Sequence, residues 1–328
     1  MNRIKRKDER GKTSLTTTRK SRWYWAQLRL LLGTFLIGTI LSIFPYKKVN
    51  EWEQKRVLAQ FEKVSSNQSI TLQKGFDNYF EILYSIRAFY AASNHVDRQE
   101  FAEFVKSILE RYPAIVALQW IPRVPAAKRA VFERATIREG LIDFEITKID
   151  SDANLSIARN RHEFYPVYYV EPLVTNKHIL GRDISADPYC RNNMQAAGET
   201  GDLMASIIEK KEPAAPDQST IQLFLPIYRN SAATGTKAQR IENLTGYVSA
   251  VLSLNGMVSE ILGDLDDKKI ELMIRDESDL QMSRLLFHHR ACLNATDTSS
   301  AKDLANSEAS TIWQEQLGFA NLAWELRT

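Results

Sequence analysis

Few residues in this sequence are spaced for making or breaking bonds. His288 and His289 are neighbours, so in a strand they point to opposite faces, and no Cys, Asp or Glu accompanies them at ligand spacing. They make a poor metal site. Cys190 lies between Tyr189 and Arg191 with no histidine that spacing assigns to it as a base. The nucleophile elbow, the zinc-protease helix, the Walker loop and the dinucleotide glycine motif are all missing from the chain. No cofactor or metal therefore follows from the residues.

Residues suited to holding a ligand are better represented. Trp120 and Arg123 close an apolar run, placing an aromatic face beside a guanidinium, which suits a planar or anionic ligand. The competing reading makes Trp120 core and pairs Arg123 with a carboxylate such as Asp183. Residues 164–172 are the most aromatic stretch. Alternation sends Tyr165, Val167 and Tyr169 to one strand face and Pro166, Tyr168 and Val170 to the other. Whichever face meets a pocket, Tyr168 or Tyr169 brings apolar area and a hydroxyl, and Glu171 a hydrogen-bond-accepting carboxylate.

The elements that would position these residues begin at a membrane. The net charge of +3 is unevenly spread: residues 1–29 carry ten Lys or Arg against Asp8 and Glu9. A basic tail, residues 1–22, thus precedes a mildly acidic body. Residues 30–46 read LLLGTFLIGTILSIFPY without a charge. Extended back to Trp23, the segment 23–46 is long enough for a transmembrane helix. The basic tail orients it with the N-terminus cytoplasmic, and no small-residue cleavage site follows, so a signal anchor is expected. Contact with the lipid membrane explains the tail better than nucleic acid does. The two cysteines, Cys190 and Cys292, form no disulfide framework, and a single bridge between them stays open.

Beyond the anchor, apolar spacing predicts stalk helices over 49–93, with a polar break at Ser65-Ser66-Asn67. Asp97 starts a helix that runs from Phe101 to Arg111 and stops near Pro113. Strands are expected at 115–121, 144–147, 221–228 and 246–254, helices at 126–138, 188–198 and 255–262, and a loop at 209–219. Residues 270–274, 285–288 and 320–326 read as short antiparallel strands of a second, smaller sheet. The fold class is α+β.

The order of motifs resembles the CHASE domain, an extracytoplasmic sensor of receptor histidine kinases and nucleotide cyclases. The resemblance covers about residues 75–262. It rests on Arg87, Phe89 and Tyr90, then Val96-x-Arg98-x-x-Phe101 and Gln119-Trp120-Ile121-Pro122-Arg123-Val124 with Arg129 and Phe132. Tyr165-Pro166-Val167 leading to Glu171-Pro172 follows, then Leu180-Gly181-Arg182-Asp183-Ile184, Ala196-Ala197-x-x-Thr200-Gly201 and Leu225-Pro226-Ile227-Tyr228. The resemblance implies a long stalk helix carrying two PAS-like α/β modules with antiparallel sheets. The distal, ligand-holding module would lie within 94–230 and the membrane-proximal one within 244–328. It also implies that the pocket strand begins after Thr200-Gly201, adding Leu203, Met204 and Ser206, with Phe224 on the next strand, to the candidate ligand contacts. Relatives continue into a second membrane helix and an output domain, and this sequence stops at Thr328. The expected function is small-molecule sensing outside the cytoplasm by a single-pass protein of the plasma or inner membrane, a homodimer through its stalk helix. An anchored periplasmic hydrolase and a dimerisation scaffold without a ligand are the alternatives.

Overall fold

The computed structural model describes residues 17–141, 143–149, 155–158, 161–208, 219–263, 271–278, 284–289 and 313–327, without the side chains of residues 17–24, 26–27, 40–47 and 50–51. The basic tail up to residue 16, most of the expected loop at 209–219 and Cys292 lie outside the described residues. The chain divides into two units, Met1–Lys63 and Val64–Thr328.

The helix α1 (Thr17–Ala92) runs for 76 residues. In the first unit Leu30, Leu31, Leu32, Phe35, Leu36 and Ile37 are all exposed, so the helix is apolar on every side there. The membrane segment expected at 23–46 falls partly on side chains outside the description. Among the described residues, no helix is long and apolar enough to cross a membrane.

The second unit begins with the rest of α1. Ser65, Ser69, Leu72, Phe76, Tyr79, Leu83 and Ile86 are buried along it, at alternating steps of four and three. The polar triplet expected as a break is instead continuous helix. Ser65 occupies a position on the buried stripe, and a serine there costs helix propensity only weakly. Next come α2 (Arg98–Arg111), β1 (Ile115–Pro122), β2 (Val124–Pro125), α3 (Arg129–Arg138), β3 (Thr147–Ile149), β4 (Leu155–Ile157), β5 (Glu163–Phe164), β6 (Tyr169–Glu171) and α4 (Leu173–Asn176). The chain continues through α5 (Pro188–Thr200), β7 (Met204–Ile208), β8 (Thr220–Tyr228), α6 (Lys237–Asn243), β9 (Leu244–Ser253) and α7 (Leu254–Leu262). It ends in β10 (Leu272–Asp276), β11 (Arg284–His289), β12 (Gln314–Phe319) and β13 (Leu322–Arg327).

Helix α2 starts as its capping residue dictates. The Asp97 side chain accepts from the Glu100 amide at 2.8 Å, and the Glu100 carboxylate accepts from the Asp97 amide at 3.0 Å. Two main sheets, each antiparallel throughout, follow, besides the two-stranded antiparallel pairs β2-β5 and β3-β4. The larger has the order β6-β1-β9-β8-β7 and the smaller β11-β10-β13-β12. Strand β9, which the sequence reading grouped with the second module, lies between β1 and β8 in the larger sheet. Its apolar residues Val248, Ala250 and Leu252 complete the helix-facing side of that sheet.

Helix α1 backs both sheets. On the larger one, Leu118, Val248, Ala250, Leu223 and Leu225 join its core. On the smaller one, Phe76 meets Phe319 and Trp324 edge-on at centroid distances of 5.0 and 5.5 Å, and those two rings stack at 4.3 Å. Each such aromatic buried from water contributes about 1.5–3 kcal/mol. Gly75 lets α7 close on this helix, because a Cβ there would run into the Ile261 side chain. The strand expected at 144–147 starts only at Thr147. Side chains of α3 take its neighbour's backbone groups instead: Ile146 N donates to Glu133 and its carbonyl accepts from Arg129.

Candidate functional site

The two faces of the larger sheet differ in kind. Strand alternation sends Ala117, Gln119, Gln222, Phe224, Met204, Ser206, Ser249 and Val251 away from α1. Four of these, Gln119, Gln222, Ser206 and Ser249, are polar and at most 3% exposed. Buried amides and hydroxyls cost free energy unless they are hydrogen-bonded. These are bonded to one another and to the helix above. Gln222 Nε2 donates to Gln119 Oε1 at 3.1 Å and to Ser249 Oγ at 3.0 Å, and Asn193 Nδ2 of α5 donates to Ser206 Oγ at 2.9 Å.

A cap covers this polar row. Helix α5 begins where Asp187 accepts from the amides of Tyr189 and Cys190 at 2.8 and 3.3 Å. The turn before it is held by backbone pairing with the aromatic stretch: Val167 N donates to Arg182 O at 3.0 Å, and Ile184 N to Tyr165 O at 3.1 Å. Asp183, 1% exposed, fixes the turn by accepting from Tyr165 N, Ser185 N and Ser185 Oγ through one oxygen. Gly181 adopts φ +78° where a Cβ would collide with the Glu145 carbonyl, so only glycine sets up the residue after it.

That next residue is Arg182. Its side chain lines a chamber of about 150 Å³ with Gln119, Gln222, Asn176, Asp187 and Cys190, the remaining wall being Ala117, Ile179, Ile184, Ile208 and Val251. Among the described residues the Arg182 guanidinium makes no hydrogen bond or ion pair. Burial pushes its pKa below the usual guanidinium value, opposed by the nearby Cys190 and Asp187. Burial likewise pushes the Cys190 thiol up to about 12, which favours the protonated form at neutral pH. An apolar cavity of roughly this size takes up a benzene-sized molecule. Here the walls add a cation, a carboxylate and two amides. The arrangement can orient a compact polar ligand; among the described residues no group of His, Cys, Asp and Glu is placed to hold a metal ion.

The CHASE domain profile matches residues 94–287, more than half of the chain. The chain belongs to the CHASE domain family. Over 294 residues it is 22% identical to a hybrid signal transduction histidine kinase A of Dictyostelium discoideum, spanning 87% of this chain and 13% of that protein. Similar solved structures include an extracellular ligand binding receptor from Desulfohalobium retbaense, at TM-score 0.45 and 10% identity over 82% of this chain and 39% of that one. Another is the ligand-binding domain of the Pseudomonas aeruginosa amino acid chemoreceptor PctC in complex with GABA, at TM-score 0.42 and 9% identity over 83% and 98%. At these TM-scores neither adds to the family assignment, which rests on the domain match.

Within this CHASE domain the residues singled out from sequence separate into four groups. Trp120, Tyr168, Tyr169 and Leu203 belong to the side of the sheet facing α1 and α2. Trp120 packs on Tyr90 at 4.6 Å, Tyr168 stacks on Tyr169 at 4.4 Å, and their hydroxyls are taken by Glu139 and the Val96 carbonyl. Met204, Ser206 and Phe224 share the capped face. Arg123 sits apart, in a wider cavity, where Glu163 rather than Asp183 is its partner, at 2.6 Å. Glu171 accepts from the Leu173 amide at 3.0 Å and so holds the start of α4.

Sequence reasoning missed Gln119, Gln222, Arg182 and Asp187. One signal was available: glutamine at both Gln119 and Gln222 interrupts an otherwise apolar strand, and a polar residue inside a buried strand needs a partner.

Proposed function

We propose that this CHASE domain is the sensor of a membrane receptor and that its signal is a compact polar molecule bound in the chamber above the larger sheet. The carrying observation is the Arg182 guanidinium, which makes no hydrogen bond or ion pair among the described residues and is held over the Gln119–Gln222 pair by a glycine-dependent turn. A site built to bond a ligand leaves such a group waiting; a structural arginine is paired. An anionic head on the guanidinium, with the amides reading a second polar group, fits the walls. Met204, Ser206 and Phe224 lie on the same capped face of the sheet but are not among the residues that line the chamber.

Transmission follows from the same packing. The ligand would bridge α5 and the sheet whose other face rests on α1, and α1 also backs the smaller sheet. The ligand shifts the receptor only by its different affinities for two arrangements of these parts. The exposed apolar stretch Leu30 to Ile37 and the basic residues before it support anchoring in a lipid membrane, with the second unit outside the cytoplasm. Exposed Trp52, Val57, Leu58 and Val64 on α1 support pairing of two such helices in a homodimer.

The test is thermal unfolding of the purified chain against compact carboxylates, amino acids and amides. A saturable rise with one class, abolished in Arg182→Gln, supports the proposal. A folded protein that responds to none of them, or whose response survives in Arg182→Gln, sinks it.

A further inference from the structure

A second cavity, of about 560 Å³, opens on the other side of α5. That is the size of sites that hold small organic molecules. Among the described residues its charges are paired with one exception. Arg123 is bound to Glu163 and donates to the Ile241 carbonyl at 2.8 Å, and Glu199 is held by Lys237 at 2.7 Å. Arg161 and Arg191 instead converge on one backbone oxygen, both donating to the Ser185 carbonyl, at 2.8 and 3.2 Å, and Arg161 reaches further to Ser185 Oγ at 3.3 Å and the Ala186 carbonyl at 3.5 Å. Two guanidinium heads on one acceptor are neighbours of like charge, which repel each other. Arg161 has Asp183 Oδ2 behind it at 3.9 Å, whereas Arg191 has no carboxylate partner among the described residues.

The facing wall is aromatic. Tyr165 and Tyr247 lie 5.6 Å apart between ring centroids. Their hydroxyls are already used, on Glu163 at 2.8 Å and on the Met194 carbonyl at 2.7 Å, so they offer the cavity ring surface rather than donors. Met194 and Leu244 extend that surface.

We infer that this cavity is a separate binding site for a phosphomonoester: a phosphate seated on Arg161 and Arg191, its organic body against Tyr165 and Tyr247. A phosphate monoester carries close to two charges at neutral pH and three acceptor oxygens, which match two forked donors better than one carboxylate does. The volume exceeds what an inorganic ion needs, and the apolar wall accounts for the remainder. The site is independent of the chamber proposed for the signal, although α5 is a wall of both.

The experiment is calorimetric titration of the full chain in detergent with phenyl phosphate, AMP and glucose 6-phosphate. Phenol, adenosine, glucose, benzoate and inorganic phosphate are run beside them. At least one ester is expected to bind tenfold or more tightly than its dephosphorylated counterpart and than inorganic phosphate. Arg191→Gln should weaken that ester at least tenfold, while Arg138→Gln, which removes an exposed charge on α3, leaves it unchanged. Should Arg191→Gln fold poorly, Gln195→Trp, filling the cavity from the same helix, must abolish binding instead. No binding by any ester, equal binding of the phosphate-free compound or of benzoate, or full affinity in both α5 variants overturns the inference.

Discussion

Replacing Arg182 by Met separates stability from function in a way that tests the chamber directly. The thioether keeps most of the volume and the apolar stem while removing the charge. A fully buried, uncompensated charge costs several kcal/mol. Arg182 is only partly buried, and water screening reduces the relief on removing it to about 1 kcal/mol. For a folded unit of this size that corresponds to a rise in Tm of roughly 2–4 °C without ligand. Ligand at a hundred times its Kd stabilises the parent by about 2.7 kcal/mol, and Arg182→Met should lose that increment. Paired thermal and urea unfolding curves, with and without the compound identified by screening, give both quantities. A fall in Tm of 2 °C or more in ligand-free Arg182→Met would refute the reasoning, because it would mean the guanidinium is already satisfied in the folded chain.

Four further outcomes follow from the geometry. Phe76→Ala removes the ring that joins α1 to Phe319 and Trp324, and should cost about 3–5 kcal/mol in urea unfolding. Asp97→Ala deletes one half of the capping box of α2 and should cost about 1 kcal/mol, with Asp97→Asn recovering most of it. Gly75→Val forces α7 off α1, and should destabilise by about 1–3 kcal/mol while Gly75→Ala costs less. The folded Cys190 thiol has its pKa raised from 9.0 to about 12, so its contribution is complete below pH 9 and is lost as the pH rises toward 12. The stability difference between the parent and Cys190→Ala should therefore narrow across that window, by up to ~1.4 kcal/mol per pH unit, as followed by urea unfolding at stepped pH.

Much of the architecture was legible because local chemistry decides it. Asp97 with Glu100 three residues later is a capping box in sequence and in the folded chain. The strands at 115–121 and 221–228 announced themselves by length and apolar content, and the three late segments at 270–274, 285–288 and 320–326 overlap β10, β11 and β13 of one small sheet, Ile270 lying outside the described residues, while its fourth strand β12 was not expected. The triplet at Ser65 misled, because periodicity weighs side-chain polarity and a buried serine can sit on the same helical stripe as Leu72 and Phe76.

The sequence by itself determined the elements and their alternation, and the order of motifs placed the chain in its family. Alternation says that Trp120 and Gln119 face opposite ways; it does not say which of them looks toward α1. That was decided by where the helix packs. Large apolar side chains on one face, Leu118, Leu223 and Val248 among them, exclude water best against α1, which leaves Gln119, Gln222 and Ser249 to one another beneath the cap. Arg182 and Gln222 are forty residues apart in sequence, and neither carries a local signal for the other. Only the turn at Gly181, pinned by Asp183 and the backbone of residues 165–167, brings a charged group over a polar floor, because contacts between distant segments are set by what the whole core buries.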